Sequence, residues 1–134
     1  MNIFRNALAV VLGLILGSIV NMGIIMSSSS IIPPPVGSDL TTMEGLTAAM
    51  QHMEAKHFLF PFLAHALGTF TGALVVILVA ANRKKTFAFV IASCFFVGGF
   101  INVILLPSPL WFNVTDLAIA YFPMAWMATR FAAK

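Results

Sequence analysis

FLFPFLAHALGTFTGALVVILVAANRKK, residues 58–85, is the stretch on which the fold turns. From Phe58 to Ala81 it is apolar except for His65, Thr69 and Thr71, and Asn82-Arg83-Lys84-Lys85 closes it. A bilayer core takes about 20 predominantly apolar residues per helix. Phe, Val and Ile favour strands in water, but this run is too long for a strand, and lipid offers no partner to an open sheet edge. The stretch predicts a transmembrane helix that ends in a basic loop.

The same criteria give three more spans, over 6–26, 86–106 and 110–129. Ser27–Ser30, Pro33–Pro35 and Gly37 end the first, and Pro107-Ser108-Pro109 turns the third into the fourth. Composition agrees. The 134 residues are 60% hydrophobic and carry seven Lys+Arg and four Asp+Glu, with a mean hydropathy of +1.02. A soluble domain is about 25% charged, so these few charges cannot cover a water-exposed surface. The expected fold is all-α: an antiparallel bundle of four transmembrane helices forming one membrane domain, 1–134, with an external loop over 27–57.

Charge placement sets the orientation. Arg5 precedes the first span, Arg83, Lys84 and Lys85 join the second to the third, and Arg130 and Lys134 follow the fourth. An even number of spans puts all of them on one side, whereas Lys56, Asp39, Glu44 and Glu54 fall on the other. Both termini are therefore expected in the cytoplasm, in a multi-pass protein of the inner (plasma) membrane. The net charge of +3 is explained by this asymmetry and needs no nucleic acid. Arg5 before an apolar run also fits a signal peptide, but the run continues to Met26 without an A-x-A-like site, which predicts that it is retained. In the external loop, Thr41-Thr42-Met43-Glu44 fits a capping box, with Asp39 as an alternative cap. Leu40, Met43, Leu46, Met50 and Met53 then recur at helical spacing. This predicts an amphipathic helix on the outer surface or over the mouth of the bundle.

Helices in lipid associate through small residues that let backbones approach. Gly13 and Gly17, Ala64, Gly68 and Gly72, and Gly98 and Gly99 supply such stripes. In each of the four spans such a stripe shares its face with a polar residue: Gly13 and Gly17 with Asn21, Gly68 and Gly72 with His65, Cys94 and Gly98 with Asn102, and Ala120 and Pro123 with Asp116. At about 1.5 Å per residue these lie about 6–10 Å below the outer ends of their spans. Intramembrane ionisable groups are costly and usually paired, so His65 and Asp116 are the natural pair, with Asn21 and Asn102 able to close a network. The structural reading is a hydrogen-bonded core that fixes register, and the functional one is a binding or proton-exchange site open to the outside.

Other candidates have bland alternatives. His52, Glu54, Lys56 and His57 form either an interfacial collar or the mouth of a pocket. Met43, Met50, His52, Met53 and His57 offer thioethers and imidazoles suited to Cu(I), although Met at helical spacing is more often an apolar face. There is no CxxC and no zinc-type spacing, so no metal ligands are assigned and no cofactor is specified. Cys94, the only cysteine, reads as a small core residue. Asn113-Val114-Thr115 matches a glycosylation sequon inside a span and is discounted. Trp111 and Trp126 read as interface anchors, and Pro123 predicts a kink one turn below Asp116.

Phe60-Pro61-Phe62-Leu63-Ala64-His65-Ala66-Leu67-Gly68-Thr69, with Ile32-Pro33-Pro34-Pro35 upstream, resembles a group of uncharacterised small bacterial four-helix membrane proteins. The resemblance implies a bacterial inner membrane and no particular chemistry. The paired cysteines of vitamin-K-reductase-type proteins and the first-helix glutamate of small multidrug transporters are absent from the sequence. With no nucleotide motif and no nucleophile–base pair, the expected function is that of a non-enzymatic accessory or binding subunit with a polar pocket near the outer face. Its partners would be the lipid bilayer and further subunits, either copies of itself or a larger membrane complex. The alternative is a small proton-coupled or small-molecule transporter acting as an oligomer. An intramembrane His/Asp enzyme is the third class.

Overall fold

The computed structural model describes residues 2–133, and among them every regular element is helical. The elements are α1 (Asn2–Ile31), α2 (Met43–Met50), a 3-10 turn (Ala55–Phe58), α3 (Leu59–Val79), α4 (Lys84–Leu105), α5 (Leu110–Ile119) and α6 (Phe122–Ala132). Three helices are long and apolar enough to cross a membrane: α1, α3 with its preceding turn, and α4. Lys134, counted above with the basic C-terminal end, lies outside the described residues.

Three elements differ from expectation. The predicted first span stops at Met26, but α1 runs through the serines to Ile31. Ser27 donates to the Gly23 carbonyl at 2.8 Å and Ser28 to the Ile25 carbonyl at 2.7 Å. With their hydroxyls satisfied along the helix, the serines do not compete with its backbone. The end comes instead just ahead of Pro33, which disfavours helical geometry in the residue before it. The predicted fourth span, 110–129, is two helices separated at Ala120–Tyr121, where Tyr121 has φ −117° and ψ −80°. Pro123 has no N–H to give and its ring would collide with the carbonyl four residues back, so the expected kink is a full break. Finally, the cap of α2 is Thr42, whose hydroxyl accepts the Gly45 N–H at 3.0 Å. The expected Thr41–Glu44 box does not form: Thr41 instead donates to Asp39. A Cβ on Gly45 would collide with the Asp39 carbonyl, so this start of the helix requires glycine.

Packing inverts the pattern of a water-soluble core. The fully buried residues are mostly small: Ala73, Ala88, Ala92, Ala125 and Ala128 form one cluster, and Ala9, Val76, Ala80 and Ile91 another. Large apolar side chains face outward, with Ile104 68% exposed, Leu78 65% and Ile19 60%. α1 and α3 run antiparallel in backbone contact. A Cβ on Gly13 would sit 2.7 Å from the Gly72 carbonyl oxygen, and one on Gly17 2.6 Å from that of Gly68. At the far end of this seam Asn6 clamps the C-terminus of α3. Its Oδ1 accepts the Ala81 N–H at 2.9 Å, its Nδ2 donates to Asn82 at 2.8 Å, and Arg5 donates to the Val79 carbonyl. Orphan groups at a helix end are thereby satisfied from a neighbouring helix.

α4 packs through Ala88, Ile91, Ala92 and Gly99, not through the expected Cys94–Gly98–Asn102 stripe. Cys94 is exposed and therefore not the core residue expected, and Gly98 has nothing within 4 Å of where a side chain would begin. Small residues on α4 occupy both faces, so the stripe alone did not say which face turns inward. α5 and α6 follow α3 in the same direction: Phe112 packs on Phe58, Asp116 meets His65, and Phe131 packs on Phe70.

Adding one methyl at the α1–α3 seam forces two backbones apart. Gly17→Ala is expected to cost about 1–3 kcal/mol, the usual range for overpacking. Gly98→Ala should leave the melting temperature in detergent unchanged. Equal melting of the two variants would remove the seam as the determinant of packing.

Candidate functional site

Three side chains meet where α3 passes the junction of α5 and α6. His65 Nδ1 lies 2.8 Å from Asp116 Oδ1. The Tyr121 hydroxyl donates to Asp116 Oδ2 at 2.9 Å. Asp116 is 2% exposed, so its carboxyl survives burial because both oxygens are engaged. The break in the fourth stretch makes this possible. A straight helix would carry residue 121 about 140° around from residue 116, whereas the turn at Ala120–Tyr121 swings the phenol back. Tyr121 is itself fully buried, stacks on the His65 ring with centroids 5.9 Å apart, and fills the space left by the missing side chain of Gly99.

The four polar residues expected to converge are not one network. His65 and Asp116 pair directly. Asn21 is half-buried, and its Cβ packs on Gly68. Asn102 is exposed at the rim. Neither asparagine side chain is bonded to the pair among the described residues. Tyr121 was missed, because an i, i+5 partner lies on another face of a continuous helix and only the break unites them. The available signal was Pro123, two residues on.

His65 and Asp116 lie at the base of a cavity of about 330 Å³. Its roof is the segment between α1 and α3, which contributes Leu40, Met43, Leu46, Met50 and Met53, the whole face expected from the helical spacing. Phe58, Pro61 and Phe112 line one wall. Ligand sites are typically concave, mostly apolar and marked by a few convergent polar groups, and this cavity has that character. His57 joins the roof to α3. Its Nδ1 accepts the Glu54 N–H at 2.8 Å, and its Nε2 lies 3.0 Å from the Pro33 carbonyl and donates to it. That pair of bonds specifies the neutral Nε2–H tautomer. Of the other residues expected at the mouth, Glu54 is exposed at the start of this turn, and His52 lines a separate shallow depression beside Pro35–Asp39. At the start of the roof, the hydroxyl and backbone N–H of Thr41 both donate to Asp39 and hold its carboxyl below the usual range. This anchor is therefore intact at neutral pH and is lost as pH falls through that lowered value.

Met43, Met50, Met53 and His57 share the cavity, but both nitrogens of His57 are committed to hydrogen bonds and His52 lies elsewhere, so the Cu(I) donor set is incomplete. Among the described residues no three His, Cys, Asp or Glu side chains are grouped to hold a metal ion.

No family model, curated protein or solved structure matches this chain. The reading of the site rests on its own chemistry. His65 has one nitrogen on Asp116, and its Nε2 has no protein partner among the described residues. With Asp116 ionised and His65 neutral, Nδ1 donates and Nε2 offers a lone pair; once protonated, Nε2 becomes a donor.

Asp116→Ala strands both His65 and Tyr121 and is expected to destabilise by about 3–5 kcal/mol, the cost of breaking a buried pair. Tyr121→Phe removes one hydrogen bond and should cost about 1–3 kcal/mol. In a double-mutant cycle on chemical denaturation, His65→Ala and Asp116→Ala should deviate from additivity by about 0.5–3 kcal/mol. Strict additivity would mean that the two side chains do not interact.

Proposed function

We propose that this chain is a small multi-pass protein of a bacterial inner membrane that binds a small molecule in a pocket near the outer face, acting as a non-enzymatic accessory or binding subunit. In this reading α1, α3 and α4 are three crossings, and α5 with α6 together make the fourth, giving a four-helix bundle with both termini cytoplasmic. The outward-facing large apolar side chains support it, because water would not tolerate so many. So does the charge asymmetry: Arg5, Arg83, Lys84, Lys85 and Arg130 gather at one end, and the roof with Asp39, Glu44 and Glu54 at the other.

One observation carries the pocket reading: a histidine oriented by a buried carboxyl group presents a nitrogen with no partner among the described residues at the base of a mostly apolar cavity. A structural pair needs no cavity above it. Second, a transporter reading draws on the broken α5/α6 beside Asp116, a feature of helices that line transport sites. It also draws on Thr69, one turn along α3 from His65, whose buried hydroxyl has no partner among the described residues. That reading requires a pH gradient to decay faster across liposomes holding the protein than across empty ones, and equal decay rejects proton coupling.

Gently extracted protein examined by native mass spectrometry is expected to carry a small-molecule adduct. Leu46→Trp, which fills the cavity from its roof, should remove that adduct while the protein stays folded. An adduct retained by Leu46→Trp, or none in either protein, would overturn the pocket reading.

A further inference from the structure

The cavity is bounded sideways by α1 and α4. α1 and α4 meet where side chains at Gly13 and Gly17 would touch Ile91 and Phe95. Further out the cavity lies between them, with Ile25 and Ser28 on one wall and Asn102, Val103 and Leu106 on the other. Asn102 is exposed although it lines the cavity, so it stands at the rim of a lateral opening. In the orientation proposed above, this opening faces the outer leaflet.

The lining also restricts what enters. Among its described residues the ionisable ones are His57, His65 and Asp116, with no lysine, arginine or glutamate. His57 is spent on the roof, and both Asp116 oxygens are engaged. A carboxylate or phosphate head has acceptors only, so it suits His65 only once Nε2 is protonated, and with His65 neutral it meets Asp116 with no cation among the lining residues. An ammonium head would be drawn by the Asp116 charge, but it has three donors and no acceptor, so it suits His65 only while Nε2 is unprotonated. A hydroxyl both donates and accepts, so it satisfies His65 Nε2 in either protonation state, and the unbonded amide of Asn102 offers a second contact at the rim.

Building on the pocket reading, we propose that the site takes a neutral, hydroxyl-headed, single-chain amphiphile from the outer leaflet. Its head meets His65 and its tail lies in the gap between α1 and α4. The apolar remainder of the cavity, from Met43 and Met50 to Val103 and Leu106, receives the part of the chain next to the head.

The test is photolabelling in phosphatidylcholine nanodiscs with dodecanol carrying a diazirine near its tail end. Saturable labelling of Ile25, Val103 or Leu106 is expected, suppressed by dodecanol and roughly tenfold less well by dodecanoate or dodecylammonium, as when one well-made hydrogen bond is lost. His65→Ala should lower labelling to a similar degree. Val103→Trp, at the rim and away from the buried pair, should abolish it without altering the fold. Three competitors of equal strength, or label spread equally onto outward-facing Val97 and Ile104, would overturn the proposal. If that happens while the native adduct persists, the pocket stands and its ligand is of another class. If the native adduct is missing as well, both readings fall.

Discussion

A carboxyl group at Asp116, 2% exposed within an otherwise apolar bundle, constrains everything around it. Left unpaired, such a group costs several kcal/mol, so the structure must bring donors to both of its oxygens. α3 supplies one through His65. The other comes from the chain's only tyrosine, and reaching it requires the fourth apolar stretch to break. Pro123 places that break, and Gly99 on α4 leaves room for the phenol. The polar triad, the discontinuous helix and the glycine in α4 are parts of one solution to one burial problem.

The rest of the bundle serves that arrangement by holding α3 in place. The glycine seam with α1 and the Asn6 clamp set its height, and the alanine layer among α3, α4 and α6 sets its distance from the helices on the other side. Below the triad alanines dominate the buried core, with Val76 and Ile91 among them. Above it Phe58 and Phe112, with ring centroids 4.9 Å apart, line the cavity. The roof is held by bonds from His57 to Pro33 and from Thr41 to Asp39, so access to His65 depends on a short segment between α1 and α3 held by a few local hydrogen bonds. The proposed ligand site is this histidine, oriented by Asp116 beneath such a roof.

Much of this was legible in the sequence. The apolar runs located α1, α3 and α4 to within a few residues, because length and uniform hydrophobicity override strand propensity. The spacing of Leu40, Met43, Leu46, Met50 and Met53 gave the inward face of the roof, and equal depth on facing stripes paired His65 with Asp116. What escaped has specific causes. Serine hydroxyls can bond back to their own helix, so Ser27–Ser30 looked like a stop and is not one. Small residues on both faces of α4 hid which face packs, and Cys94 and Gly98 were assigned to the wrong side. Tyr121 and Asn6 act through contacts that periodicity does not encode, one across a helix break and the other across a helix end.

The pairing of His65 with Asp116 inside a bilayer is the claim on which the rest depends, and solid-state NMR measures it directly. The chain has two aspartates and three histidines, and of these Asp39 lies in the external segment with Thr41 as its partner. Protein labelled with 15N-histidine and 13Cγ-aspartate and reconstituted in lipid should therefore give one strong nitrogen–carbon dipolar coupling, matching the 2.8 Å Nδ1–Oδ1 contact, and His65→Ala should abolish it. Absence of that coupling in the wild-type protein would contradict the triad and the ligand site built on it.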